Sequence, residues 1–178
     1  MAFDALRDTL PDYAKDIRLN MGSLASDQTL NEQQKWGAFL ACAHATGVPA
    51  LIRAIEASSE THLSAEAKTA AKAAAAVMGM NNVYYRSLHL LKNEEYRTLR
   101  AGLRMNIIAN PGVDKGDFEL WCLAVSAVNG CGACLDSHEE ELRKRNFSAP
   151  QVQTALKIAA VINAAAAVLR AESALTAA

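Results

Sequence analysis

The chain has 178 residues, a net charge of −1 and a pI near 6.4, with 51% hydrophobic residues and a large alanine share. That length suits one compact domain or two small helical halves around a shared core. The near-neutral balance, with no basic tail or arm, excludes the electrostatic footprint of a nucleic-acid binder.

The first stretch, M-A-F-D-A-L-R-D-T-L-P-D-Y-A-K, is amphipathic and charged early, with no apolar h-region, so it does not read as a signal peptide. Pro11 stands at a good first-turn position for a helix. Asp27 or Thr29 is expected to cap a long helix carrying Trp36, Phe39 and Leu40. Thr46-Gly47-Val48-Pro49 breaks it, and a helix through Leu51, Ile52 and Ile55 follows. Leu63-Ser64-Ala65-Glu66 reads as a staple, a cap and the first turn of an Ala-rich helix running towards M-G-M-N-N. Residues 92–116 are polar and turn-rich, with one short helix expected near Leu103 to Ile108. Gly116 or Asp117 opens the next helix, which ends at the Asn129-Gly130 turn signal. Another helix starts at the following cysteines and runs to about Arg145. Ser148-Ala149-Pro150 caps the last one. Its apolar run, residues 158 to 169, is too short to span a bilayer, so a soluble cytoplasmic protein with no membrane partner is expected.

No stretch alternates with period 2 over a strand length, so the fold class is all-α. The chain also resembles itself. Shifted by 84 residues, L-S-A-E-A-K-T-A-A lies on F-S-A-P-Q-V-Q-T-A. A single domain over 1–178 is expected, with a degenerate half over 1–91 and a half over 92–178 that carries the chemistry. On this register Gly47, Ala50 and Ala54 fall on Cys131, Cys134 and His138.

The chemistry-bearing stretch is N-G-C-G-A-C-L-D-S-H-E-E-E-L, residues 129 to 142. In a helix starting near Gly130, Cys131 and Cys134 are i, i+3 neighbours and Cys134 and His138 are i, i+4 neighbours, so all three share a face. Cys131 lies near the helix N-terminus, which stabilises an anion. His138, a turn beyond Cys134, can take or return its proton. Glu119, on the preceding helix, can hold the imidazole tautomer. A redox-active dithiol is the favoured reading, because one thiolate attacks and the other resolves. A zinc site is disfavoured, since no second ligand pair accompanies this one. Plain burial suits Cys42 and Cys122 better than this pair. His44, His62 and His89 read as packed, capping or solvated, the Glu139–Glu141 run as a solvated helix face, and Trp36, Phe39 and Trp121 as core. Met78 and Met80 are expected to pack, and Asn81 and Asn82 to sit at a helix junction or oligomer contact.

Glu119, eleven residues, then Cys131-x-x-Cys134-x-x-x-His138 resembles the signature of the alkyl hydroperoxidase D family, within the carboxymuconolactone decarboxylase-like superfamily. L-P-D-Y-A-K-D-I-R-L-N, M-G-M-N-N-V-Y-Y-R, L-R-M-N-I-I-A-N-P-G and F-E-L-W-x-x-A-V-S-A-x-N-G-C also look like family stretches. The resemblance implies an all-helical fold of two related halves and a homotrimer. It implies an antioxidant peroxidase cycle: lipoyl-dependent reduction of organic hydroperoxides and of an AhpC-type peroxiredoxin. Dihydrolipoamide on the lipoyl domain of a 2-oxoacid dehydrogenase complex would donate the electrons, with no bound cofactor and no metal. Cys134 would become the sulfenic acid and form the mixed disulfide with the peroxiredoxin. Cys131 would be the proton donor and resolving thiol, and the two would close a redox-active disulfide. From the residues alone, the helix terminus favours attack by Cys131 and the histidine favours Cys134. The histidine is the more local cause, so the reading sides with Cys134. Some family members place a histidine beside the second cysteine, where this chain has Ala133. Weaker direct peroxidase turnover is therefore expected. Two rival readings are a dithiol adaptor between lipoyl domains and the peroxiredoxin, and a decarboxylase-like lyase.

Overall fold

In the computed structural model, which describes residues 2–176, ten α-helices and one 3-10 turn account for nearly all regular structure, with no strand among the described residues. Met1, Ala177 and Ala178, the ends of the expected domain, lie outside them. The helices are α1 (Ala2–Asp8), α2 (Lys15–Ser26), α3 (Glu32–Thr46), α4 (Pro49–Ser59), α5 (Ala65–Leu90), α6 (Glu95–Thr98), α7 (Asn106–Ala109), α8 (Lys115–Asn129), α9 (Gly132–Lys144) and α10 (Ala149–Thr176). The 3-10 turn, Asp12–Ala14, follows Pro11 and leads into α2. The all-α expectation holds.

Four boundaries differ from the sequence reading, each for a local reason. Asn31, not Asp27 or Thr29, caps α3. It forms a capping box with Gln34, in which each side chain bonds the other's backbone N–H. The Asp27 carboxylate instead accepts from the Thr29 N–H in a local turn. Asp114 caps α8, accepting from the N–H groups of Gly116 and Asp117. Asp117 is already inside the helix and buried, receiving the side-chain amides of Gln33 and Gln34 at 2.7 and 2.9 Å. This joins the starts of α3 and α8. The polar region holds two single-turn helices rather than one. The Ala-rich helix does not stop at M-G-M-N-N but continues to Leu90, because packing on α3 and α8 outweighs the propensity cost of Gly79, about 1 kcal/mol.

At the centre, α3 and α8 cross, with α5 and α10 packed against both. The crossing is close because Gly37 presents no side chain to the indole of Trp121. A Cβ there would lie 2.1 Å from Trp121 Cε2. The indole N–H donates to the Gln34 carbonyl at 3.1 Å, so the ring cannot swing away without losing that bond. Gly37→Ala is therefore expected to destabilise the fold by about 1–3 kcal/mol through overpacking, despite alanine's better helix propensity. A denaturant midpoint at or above wild type would refute this. On the other side of α3, Phe3 makes edge contacts with Trp36 and Phe39, which puts α1 on the bundle.

The last helix is 28 residues long, more than twice the apolar run marked in the sequence, and by length and composition it is sufficient to cross a membrane. In this fold it packs on α3, α8 and α2 through Val152, Ile158, Ile162 and Ala166. Ser148 and Gln151 cap it reciprocally, as expected.

Helix caps shift the internal register by one residue. Asn31 and Asp114 open α3 and α8, and Gly47 and Gly130 close them with φ of 70° and 68°, the left-handed region that favours glycine. Both pairs are 83 residues apart, whereas the caps Ser64 and Ser148 are 84 apart. One extra residue therefore lies between Gly130 and Ser148. Val48, Leu51 and Ile55, not Gly47, Ala50 and Ala54, take the places of Cys131, Cys134 and His138, and Trp36 takes that of Glu119. All four are buried apolar residues, so core fills the position where the second half has chemistry.

Candidate active site

Gly130 ends α8 in the left-handed conformation and turns the chain so that α9 packs back along α8. Cys131 sits just before α9 as its N-cap, one residue outside the helix expected to contain it. Its N–H donates to the Ser126 carbonyl at 3.1 Å, and its sulfur accepts the Cys134 N–H at 3.3 Å. The sulfur thus occupies the oxygen position of an ordinary capping side chain, against the free amides of the helix start. Cys131 and Cys134 are joined as a disulfide.

The two sulfurs are not equivalent. Cys131 is fully buried, whereas Cys134 is 6% exposed and borders a cavity of about 510 Å³. His138 and Glu119 border the same cavity, together with the apolar side chains of Met78, Met105 and Ile108. Ala133, Tyr85 and Lys115 also reach it. His138 Nδ1 lies 2.7 Å from Glu119 Oε2, and both side chains are largely withdrawn from solvent. The structure therefore brings together all four residues selected from the sequence: the cysteines as a bonded pair, the histidine and glutamate as a hydrogen-bonded pair, with Cys134 facing the cavity they share.

The sequence reading missed the wall behind the site. Met78, Asn82 and Arg86 line up along α5 at helical spacing. Asn82 is completely buried, donates to Ser126 Oγ at 2.9 Å, and accepts from the Asn129 side chain at 2.9 Å. Arg86 donates to the Asn129 carbonyl. Ser126 in turn supplies the carbonyl that holds the Cys131 N–H. Asn82 thus joins α5 to α8 through side chains, as part of a polar network supporting the cysteine turn. The signal was present: adjacent asparagines inside an Ala-rich amphipathic helix require a partner when one faces the core. Met78 Sδ lies 3.2 Å from His138 Nε2, so this methionine does more than pack.

The remaining candidates lie elsewhere. Cys42 and Cys122 are buried and free. Burial pushes both thiols well above their ordinary range, and the charge of Glu119 adds to the effect on Cys122. His44 pairs with Glu56 at 3.0 Å. His62 stacks flat on Trp36 and contacts Glu32, while His89 is exposed. Glu139, Glu140 and Glu141 pair with Arg143 and Lys144 along their own helix. Trp36, Phe39 and Trp121 are core.

A family model described as carboxymuconolactone decarboxylase matches residues 94–177, the part that includes α8 and α9. The alkyl hydroperoxide reductase AhpD of Maricaulis maris is 65% identical over 173 residues, covering 97% of this chain and all of its own. The chain belongs to the AhpD family. Its AhpD relatives in Hyphomonas neptunium and Streptomyces avermitilis are 61% and 59% identical, covering 99% and 98% of this chain and 98% and 99% of their own. This likeness runs through both helical halves, so AhpD membership covers the cysteine turn and also the α5 wall behind it.

Proposed function

We propose that this protein is an antioxidant thiol oxidoreductase, an alkyl hydroperoxide reductase that cycles the Cys131–Cys134 pair between dithiol and disulfide. The observation that carries this reading is that Cys134, alone of the two sulfurs, borders the cavity shared with the Glu119–His138 pair. Its relatives named alkyl hydroperoxide reductase AhpD support the same chemistry.

The cycle starts from the dithiol. His138, oriented by Glu119, accepts the Cys134 proton. The Cys134 thiolate attacks the terminal peroxide oxygen; the O–O bond breaks, an alcohol leaves with one proton, and Cys134 becomes a sulfenic acid. Cys131 attacks that sulfur, water leaves, and the disulfide closes. Because peroxide reduction consumes two thiols, an external dithiol must reopen the bond. We assign this role to dihydrolipoamide on the lipoyl domain of a 2-oxoacid dehydrogenase complex. An AhpC-type peroxiredoxin is the second oxidant, reduced through a mixed disulfide with Cys134. No bound cofactor or metal takes part. The reading includes a cytoplasmic homotrimer.

The test is peroxide loss with purified protein, dihydrolipoamide and an organic hydroperoxide, repeated with a peroxiredoxin present. Consumption by the mixture without peroxiredoxin is expected, at a rate limited by Ala133 at the cavity wall, where a histidine would add a proton relay. Consumption only with the peroxiredoxin would make the protein a dithiol adaptor. No consumption in either mixture would overturn the oxidoreductase reading.

A further inference from the structure

Three polar groups converge on one sulfur. Met78 Sδ lies 3.2 Å from His138 Nε2, 3.6 Å from Ser126 Oγ and 3.8 Å from Asn82 Nδ2. Met78, Ser126 and Asn82 are all buried. A thioether carries lone pairs and no hydrogen, so it can only accept. Facing Met78 at this distance, a protonated His138 Nε2 makes a hydrogen bond, whereas a bare nitrogen would set lone pair against lone pair, so the contact favours the protonated form.

On its other side, His138 Nδ1 meets Glu119 Oε2 at 2.7 Å, and one proton must lie between them, on either atom. The His138–Glu119 pair thus holds two protons while the disulfide is closed. A resting catalytic base would hold one, leaving Nε2 free to accept. We infer that Met78 is a positioning residue: its thioether holds the Nε2 proton of His138 and keeps the His138–Glu119 pair loaded as an acid while the Cys131–Cys134 disulfide is closed. When a dithiol attacks Cys134, the sulfur at the cavity, Cys131 leaves first; the second thiol then closes on the first and expels the Cys134 thiolate. The loaded pair, which borders the same cavity, can pass its proton to that sulfur, so that the N–H bond breaks, an S–H bond forms and Nε2 is left as the base needed for the next attack. The proton count stands on the geometry alone; only its use in opening the disulfide rests on the proposed function.

The other titratable groups around His138 do not supply an alternative acceptor for Nε2. Glu119 is engaged at Nδ1. Cys122 is held as a neutral thiol by burial. Glu141 is hydrogen-bonded to Lys144 at the outer cavity wall. Cys134 is in the disulfide, and Tyr85 and Lys115 line the cavity.

The experiment is nitrogen NMR of the imidazole in the oxidised full-length protein, labelled at histidine and followed through a pH titration. It needs no peroxide or reductant, so it can fail independently of the enzyme assay. In wild type, His138 Nε2 is expected to carry a proton at neutral pH; a bare Nε2 there would overturn the inference without any variant. In Met78→Leu, which keeps the bulk and removes the acceptor, that proton should be lost at a lower pH than in wild type, because the hydrogen bond that holds it is gone. Met78→Gln, whose side-chain oxygen can accept, should restore the wild-type titration. A leucine variant that titrates like wild type, or a glutamine variant that titrates like leucine, would show that Met78 only packs.

Discussion

Cys134→Ser is expected to lower peroxide consumption with dihydrolipoamide more than about 10³-fold, the loss typical when an enzyme's nucleophile is removed. The reason is geometric. Cys134 is the sulfur at the cavity, while Cys131 is sealed beneath it with its sulfur against the helix amides. A serine at 134 keeps the shape and the hydrogen bond to its N–H but cannot form a sulfenic acid. Cys131→Ser should behave differently. It leaves the attacking thiol intact, so one equivalent of peroxide should be consumed and a sulfenic acid should accumulate at Cys134, open to trapping by a cyclic diketone. Turnover should then stop, because no second thiol closes the bond. If Cys131→Ser loses the single-turnover burst and Cys134→Ser retains it, the two sulfurs have been assigned in the wrong order.

Glu119→Gln is expected to lower turnover about 10²- to 10³-fold, within the range that general acid–base groups contribute. The substitution keeps an oxygen that can accept from His138 Nδ1 and nearly the same volume. It removes the negative charge that stabilises a protonated imidazole in a largely buried site. His138 would then be a poorer base towards Cys134, and the loss should appear in the peroxide step. Rapid-mixing measurement of sulfenic acid formation in the Cys131→Ser background separates that step from disulfide reopening. A rate within a factor of two of the parent would show that the 2.7 Å contact is structural. A circular dichroism melt close to the parent's is needed beside it, since Glu119 is also part of the packed face of α8.

Much of the site was legible in the chain. Cys131, Cys134 and His138 could be selected because helical spacing is a local rule, i, i+3 and i, i+4 residues lying together whatever else the protein does, and Glu119 because the Asn129-Gly130 turn signal folds its helix back on theirs. Other parts depended on competition between neighbouring signals. Asp27, Thr29 and Asn31 are all good caps, and Asn31 prevails through its reciprocal bonds with Gln34. Asp117 looks like a cap in sequence and is instead a buried anchor for two glutamines. The 84-residue shift read from the sequence holds at the caps Ser64 and Ser148, while the caps before them fall 83 apart, a difference hidden in the sequence because alanines match at many shifts. Backbone handedness at Gly47 and Gly130 settles it.

By itself, then, the sequence determined an all-helical chain, the order of its principal helices and the four residues of the candidate site, since each depends on local spacing or on a single turn between neighbouring helices. Only the tertiary structure decided which sulfur meets the cavity and what His138 faces. Those depend on α5 reaching across to α8 and α9, which brings Met78 to His138 from sixty residues away and Asn82 to Ser126 from forty-four. Contacts at that separation follow from how the helices pack on one another, which no local spacing encodes.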